Sequence, residues 1–252
     1  AIRTMAAYDF KAIRLFVAGP IAANAAVALD RDQTNYLLNV MRLEDGTRLA
    51  VFDGASGEWA ARLLRTGKKA ANLLVEEQLR PQPADGDLRL LFAPLKHARL
   101  DYMVQKAVEM GVTRLVPVMT RHTQAARINI ERMRANAIEA AEQCGILTVA
   151  GCDESQPLAK ALAGLPAYQL LVFCDENAAL ANPVQALAPH APAAHGIAVL
   201  IGPEGGFAEE ERALLARRPN TVAISLGPRI LRADTAAVAA LAVVQASLGD
   251  WR

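Results

Sequence analysis

Ala198-Val199-Leu200-Ile201-Gly202-Pro203-Glu204-Gly205-Gly206-Phe207 is an apolar run that stops at a glycine-rich turn and leads into Glu209-Glu210-Glu211, the acidic start of a helix. Val222-Ala223-Ile224-Ser225-Leu226-Gly227-Pro228-Arg229-Ile230-Leu231-Arg232-Ala233-Asp234-Thr235 repeats the plan. Strand, turn and helix in immediate succession, twice, make the unit of a parallel sheet covered on both faces. The same alternation continues upstream. Strands are predicted at Leu88–Pro94, Arg114–Met119, Tyr168–Cys174, Gly196–Ile201 and Thr221–Leu226, and helices at Ala98–Met110, Ile130–Cys144, Leu158–Ala163, Glu209–Arg217 and Thr235–Leu248. Gly111 and Gly145 directly follow two of these helices, where a left-handed residue ends a helix most easily.

Before Leu88 the pattern differs. Arg14–Val17, Arg48–Asp53, Glu58–Leu64 and Ala71–Glu76 read as short strands, interrupted by one helix over Asp30–Met41 that faces inward through Leu37, Val40 and Met41, with Asp30 as its cap. Asp53-Gly54-Ala55-Ser56-Gly57 reads as a hairpin loop. Arg80-Pro81-Gln82-Pro83-Ala84-Asp85-Gly86-Asp87 suits a linker. At about 150 residues per domain, 252 residues allow one to two domains. The reading is a small β domain over 1–83 and an α/β domain over 84–252.

Composition narrows the chemistry. Lys and Arg total 27 against 26 Asp and Glu, so any attraction to nucleic acid must come from local patches. Alanine supplies 51 of the apolar residues, and no apolar run approaches the roughly 18 residues of a membrane span. With no charged start followed by an apolar stretch and a cleavage site, a cytoplasmic location is expected. The three cysteines lack CxxC spacing and the four histidines form no HExxH, so neither a disulfide framework nor a metal is expected. GxSxG, SxxK, GxxxxGK[ST] and GxGxxG are all missing from the sequence. Serine hydrolysis, P-loop chemistry and standard dinucleotide binding lose their motifs.

In an open α/β sheet the ligand binds beyond the carboxyl ends of the strands. Three segments lie there: the turn after Ile201, the turn after Leu226, and the residues from Asp175 onward. Each glycine turn can be read as a turn and nothing more. Two of them after consecutive strands, however, bring bare backbone to one end of one sheet, which suits a flat heterocycle read by main-chain groups. Three glutamates after the first turn disfavour a polyphosphate, and equally complement their own helix.

These paired segments, Leu200–Phe207 and Ser225–Ala236, closely resemble the C-terminal motifs of the RsmE family, SPOUT-superfamily RNA methyltransferases that make N3-methyluridine in small-subunit ribosomal RNA using S-adenosylmethionine. Val104–Val112, Arg121 and Glu139–Gly145 look like the family's central segments, and Phe52-Asp53-Gly54 like its N-terminal PUA-like β-barrel. Three positions depart from the family pattern: Asp234 stands where Glu is usual, Ala208 where a capping Ser or Thr is common, and Ile146 where Arg often follows.

The resemblance implies a PUA-like β-barrel RNA-binding domain and a SPOUT α/β methyltransferase domain with a C-terminal trefoil knot. It also implies S-adenosylmethionine in the knot and an active site completed in a homodimer. The cofactor contacts expected on this basis are Leu200, Ile201, Gly202, Pro203, Glu204, Gly205, Gly206, Leu226, Gly227, Ile230 and Leu231.

The chemistry asks for two further groups. Uracil N3 carries a proton and is a poor nucleophile until it is lost, so the site must stabilise the developing anion and accept the proton. Arg232 is the candidate for the first task, with an ion pair to Asp234 as its plain structural alternative. Asp234 and Glu204 are candidates for the second, and each reads equally as a structural acceptor. For RNA the basic candidates are Arg121, His122, Arg127, Arg132 and Arg134, with Arg62, Arg65, Lys68 and Lys69 in the first domain; solvated faces are the plain alternative. His122 suits base stacking or a local hydrogen bond. The expected partner is small-subunit ribosomal RNA or the assembled small subunit. Two rival functions stay open: a SPOUT enzyme with another target atom, and a cofactor-binding RNA-binding protein without transfer.

Overall fold

The computed structural model describes residues 12–84, 86–124, 127–175, 178, 182–193 and 196–251. They form two compact units, one running through residue 84 and including Ala141–Val149, the other comprising the rest.

The first unit holds β1 (Arg14–Phe16), β2 (Ala26–Ala28), α1 (Arg31–Asn35), β3 (Arg48–Phe52), β4 (Glu58–Gly67) and β5 (Ala70–Arg80). Among the described residues the strands pair along an open path, β1-β3-β4-β5-β2, antiparallel except for β1 with β3. Strand period explains which face is buried: Ala71, Leu73 and Val75 of β5 pack into the core with Leu49, Val51 and Leu63, while the residues between them face outward. The predicted hairpin loop forms. Asp53 builds it by accepting from the amides of Ala55 (2.9 Å) and Ser56 (2.7 Å).

Three expectations for this unit need correction. β5 runs on through Arg80, because Glu58 at the head of β4 pairs in register with Arg80 and forms an ion pair with it at 2.7 Å; the connecting segment therefore starts at Pro81. The helix over Asp30–Met41 is α1 followed by a π-helical turn at Tyr36–Val40. Asp30 caps it as expected, in a reciprocal capping box with Gln33. Closure of Met41 N onto Tyr36 O shifts the inward face to Leu37 and Leu38 and leaves Val40 62% exposed. Thirdly, the sequence assigns Ala141–Val149 to the second domain, yet they group with the first. Buried Arg14 donates to the carbonyls of Ala141 (2.5 Å), Glu142 (2.8 Å) and Ile146 (3.1 Å), so it supplies the cation and the donors that a helix end lacks.

The second unit contains β6 (Leu88–Phe92), α2 (His97–Glu109), β7 (Arg114–Met119), α3 (Ile130–Cys144, up to its last turn), β8 (Gly151–Cys152), β9 (Gln156–Pro157), α4 (Leu158–Ala163), β10 (Leu170–Cys174), α5 (Pro183–Leu187), β11 (Ile197–Ile201), α6 (Glu209–Arg217), β12 (Thr221–Ile224) and α7 (Ala233–Ser247). Its sheet is parallel throughout, in the order β12-β10-β11-β6-β7-β8, with β9 beside β7. β11 is buried at every residue, as a strand covered on both faces must be. Gly111 and Gly145 take the left-handed conformation expected of them, at φ +85° and +70°. No described helix is long and apolar enough to cross a membrane.

Strand order fixes where a ligand can go. β12 lies against β10 rather than β11, so the chain leaving β11 must pass β10 to reach its place. The ends of β11, β10 and β12 thus face one crevice, with the two glycine turns on either side.

Candidate functional site

The three strand ends enclose a cavity of about 580 Å³, within the 300–1,000 Å³ usual for small-ligand sites. Every predicted cofactor contact except Leu200 lines it, together with Cys174, Asp175, Phe207, Ser225 and Ala236. Leu200 is fully buried beneath the cavity, packed with Phe173 and Phe207. Gly227 holds φ at +99°, and a Cβ there would meet nothing within 4 Å, so backbone conformation rather than crowding selects glycine. Gly205 is the opposite case. Its Cβ would lie 3.1 Å from the Cβ of His122.

The wall is close to neutral. Glu204 forms an ion pair with Arg99 of α2, and Asp175 one with Arg212 of α6 at 3.0 Å. Among the described residues Arg229 is the only lining cation, so they form no cluster of the kind a polyphosphate needs. Burial pushes the Cys174 thiol up to about 12, which keeps it protonated and removes it as a nucleophile at neutral pH. Sequence reasoning missed Arg99 for a simple reason: it lies 105 residues from Glu204 and no local pattern marks it.

Arg232 and Asp234 are not in the cavity wall but at the start of α7, directly after its second turn. The Arg232–Asp234 ion pair does not form. Arg232 is exposed, and its side chain provides no cap to the helix. Asp234 Oδ1 is buried without a hydrogen-bond partner among the described residues. A lone buried carboxylate oxygen is costly, and such costs persist where a ligand or proton is to be met.

The basic candidates separate into two groups. Arg132 is forked onto Asp101 with contacts from 2.6 to 3.1 Å, Arg134 pairs with Glu131 at 3.2 Å, and Arg62 with Glu76 at 2.7 Å. These three are neutralised on their own surfaces. Arg121, Arg127 and Lys68 are exposed and form no ion pair among the described residues. His122 is used locally: its Nδ1 lies 3.1 Å from the carbonyl oxygens of both Gly205 and Gly206. Arg121 N donates to Glu211 Oε1 at 2.8 Å, and Glu211 Oε2 accepts from Ala208 N at 2.9 Å. Glu211 thereby supplies half of a capping box at a helix start whose Ala208 has no side-chain acceptor.

Comparison with known proteins bears on the family and the fold. Residues 82–245 match the model of an RNA methyltransferase domain, and residues 29–76 that of an RNA methyltransferase PUA domain. Ribosomal RNA small subunit methyltransferase E of Rickettsia conorii is 32% identical over 92% of this chain and 94% of its own. The Synechocystis protein of the same name is 31% identical over 94% of this chain and 78% of its own. Among solved structures, the Neisseria gonorrhoeae ribosomal RNA small subunit methyltransferase E bound to S-adenosylmethionine superimposes with a TM-score of 0.85 at 26% identity, covering 96% of this chain and all of that one.

Proposed function

The chain belongs to the RsmE family of RNA methyltransferases, and from that membership we propose that it transfers a methyl group from S-adenosylmethionine to N3 of one uridine in small-subunit ribosomal RNA. The observation that carries this reading is the near-neutral cavity of about 580 Å³ between two glycine turns, with an arginine and a carboxylate oxygen that have no partner among the described residues at the head of the next helix. The cavity residues fit the cofactor. Backbone groups of Gly202–Gly206 and Leu226–Gly227 would meet its polar edges, Ile201, Ile230 and Leu231 its heterocycle, and no cation cluster opposes its positive charge.

When bound, S-adenosylmethionine supplies a methyl group already electrophilic on a sulfonium, so no metal is required. The chain's own task is the uracil. Asp234, a carboxylate only partly buried at the head of the next helix, accepts the N3 proton directly or through water. Arg232 meets the carbonyl oxygen on which the negative charge grows, and its planar fork suits that geometry. Glu204 is already engaged by Arg99, so its role is to hold the first turn in place. Arg121, Arg127 and Lys68, exposed cations without an ion pair among the described residues, position RNA phosphates. The same reading includes a threaded C-terminal strand and helix, a homodimer and a cytoplasmic location.

Purified protein incubated with small ribosomal subunits and labelled cofactor, followed by nucleoside analysis of the RNA, tests the proposal. N3-methyluridine is the expected product. A methylated ribose or guanine would instead support a different target atom, and binding without any product a protein that does not transfer. Thermal protection by S-adenosylmethionine but not by ATP or NAD is the accompanying binding result.

A further inference from the structure

The imidazole of His122 is not on the cavity side of the first glycine turn but behind it. Both oxygens within reach of Nδ1 are main-chain carbonyls, of Gly205 and Gly206, each at 3.1 Å. Carbonyls only accept, so Nδ1 must carry the proton and share it between them. Close packing reinforces the bond, because any Cβ on residue 205 would come within 3.1 Å of His122 Cβ. The neighbouring main chain is fixed too, through Arg121 N on Glu211 Oε1 at 2.8 Å. On its outer side His122 helps line a second, shallow cavity with Arg121, Thr123, Gln124 and Gly205. Gly205 is therefore common to the walls of both cavities, with His122 between the basic loop and the turn.

We propose that His122 is a positioning residue, which by donating from Nδ1 to the Gly205 and Gly206 carbonyls holds the first glycine turn in the conformation that binds the cofactor. This rests on the cofactor reading above, and it explains glycine at 205 by the His122 Cβ packed behind the turn rather than by the ligand before it. The effect belongs to binding and not to the chemical step, since His122 lies outside the cofactor cavity wall.

The test uses His122→Ala, His122→Asn and His122→Gln in the full chain. An asparagine amide can place a donor near the position of Nδ1, whereas glutamine carries its amide one methylene further out. Losing a shared hydrogen bond of ordinary strength should raise the dissociation constant for S-adenosylmethionine about tenfold in His122→Ala. Turnover at saturating cofactor should stay within about twofold, and asparagine should restore affinity where glutamine does not. Hydrogen exchange without cofactor gives an independent readout: amides of 204–207 should exchange about tenfold faster in His122→Ala and near the wild-type rate in His122→Asn. Gly205→Ala should reproduce the affinity loss, because its methyl would crowd the His122 Cβ and push the Nδ1 donor away from the two carbonyls. Unchanged affinity and exchange in His122→Ala would overturn the proposal, as would equal damage by all three replacements. If the wild type bound no S-adenosylmethionine, the cofactor reading would fail; faster exchange in His122→Ala would then leave only a role in holding the turn, without one in binding.

Discussion

At the scale of single residues, the sharpest division lies between Arg232 and the arginines already held by a carboxylate. Arg132, Arg134 and Arg62 each meet a carboxylate, whereas Arg232 stands exposed, without an ion pair among the described residues, two residues before an Asp234 that it does not touch. A guanidinium that stabilises charge appearing only as uracil N3 loses its proton contributes to the transition state and little to the bound ground state. Arg232→Ala should therefore lower single-turnover transfer by roughly a hundredfold or more, as loss of an oxyanion donor does. Cofactor affinity should stay near the wild-type value. Lysine should restore only part, since it keeps the charge without the fork. Rapid-quench transfer to small subunits, run beside cofactor titrations, checks all three statements. Near-normal transfer in Arg232→Ala would remove the residue from the mechanism, and a matching fall in stability for Arg232→Ala and Asp234→Ala would return both to a structural role.

At the scale of elements, legibility followed locality. β7, α3, α4 and α6 have the predicted limits because their periodicity and end signals lie within the elements themselves. α5 was also signalled, by Asn182-Pro183: Asn182 accepts from Val184 N at 3.0 Å and Pro183 fills the first turn, but an alanine-rich surrounding hid the start. β2, β8 and β9, at two or three residues each, exist only through their neighbours and leave no pattern of their own. The cavity turns were legible as motifs, whereas Arg99 and the true place of His122 depend on distant chain segments. The end of α3 is the clearest case of a non-local element. Glu58 receives Arg14 at 2.6 Å and Arg80 at 2.7 Å, and Arg14 in turn holds the carbonyls of residues 141, 142 and 146. Burial alone would raise the Glu58 pKa, but hydrogen bonds and charge from Arg80 and Arg14 outweigh it and leave the carboxyl below its ordinary 4.5. A depressed folded pKa means that the stabilisation is complete above about 4.5 and is lost as pH falls through the folded value. Glu58→Gln should thus cost toward the lower end of about 3–5 kcal/mol at neutral pH, given that Arg80 keeps some solvent contact. Denaturant unfolding at pH 7 and at successively lower pH should show the gap between variant and wild type closing below pH 4.5. A gap independent of pH would mean that charge is not what Glu58 contributes.

At the scale of the whole molecule, the question is what covers the apolar surface left over when each unit has folded. α7 buries Ala233, Ala236, Ala237, Ala240, Leu241 and Val244, which is one complete stripe at helical spacing. Val238, Ala239, Ala242 and Val243 form a second stripe and remain half-buried, while Ile230, in the turn just before the helix, is 98% exposed. A nearly naked isoleucine beside a ligand cavity, next to a helix face of small apolar residues, is the kind of surface that a second copy of the chain would cover. The proposed homodimer accounts for that surface, and it predicts a mass of two chains by light scattering at micromolar concentration without RNA. Val238→Glu would place a charge in the second stripe without disturbing the first. It should shift the scattering mass toward one chain, leave the isolated fold's circular dichroism unchanged, and reduce methyl transfer at least tenfold if the partner contributes to the site. A wild-type protein that scatters as a single chain and still transfers at full rate would show that each copy works alone, and the half-buried stripe would then need a different occupant.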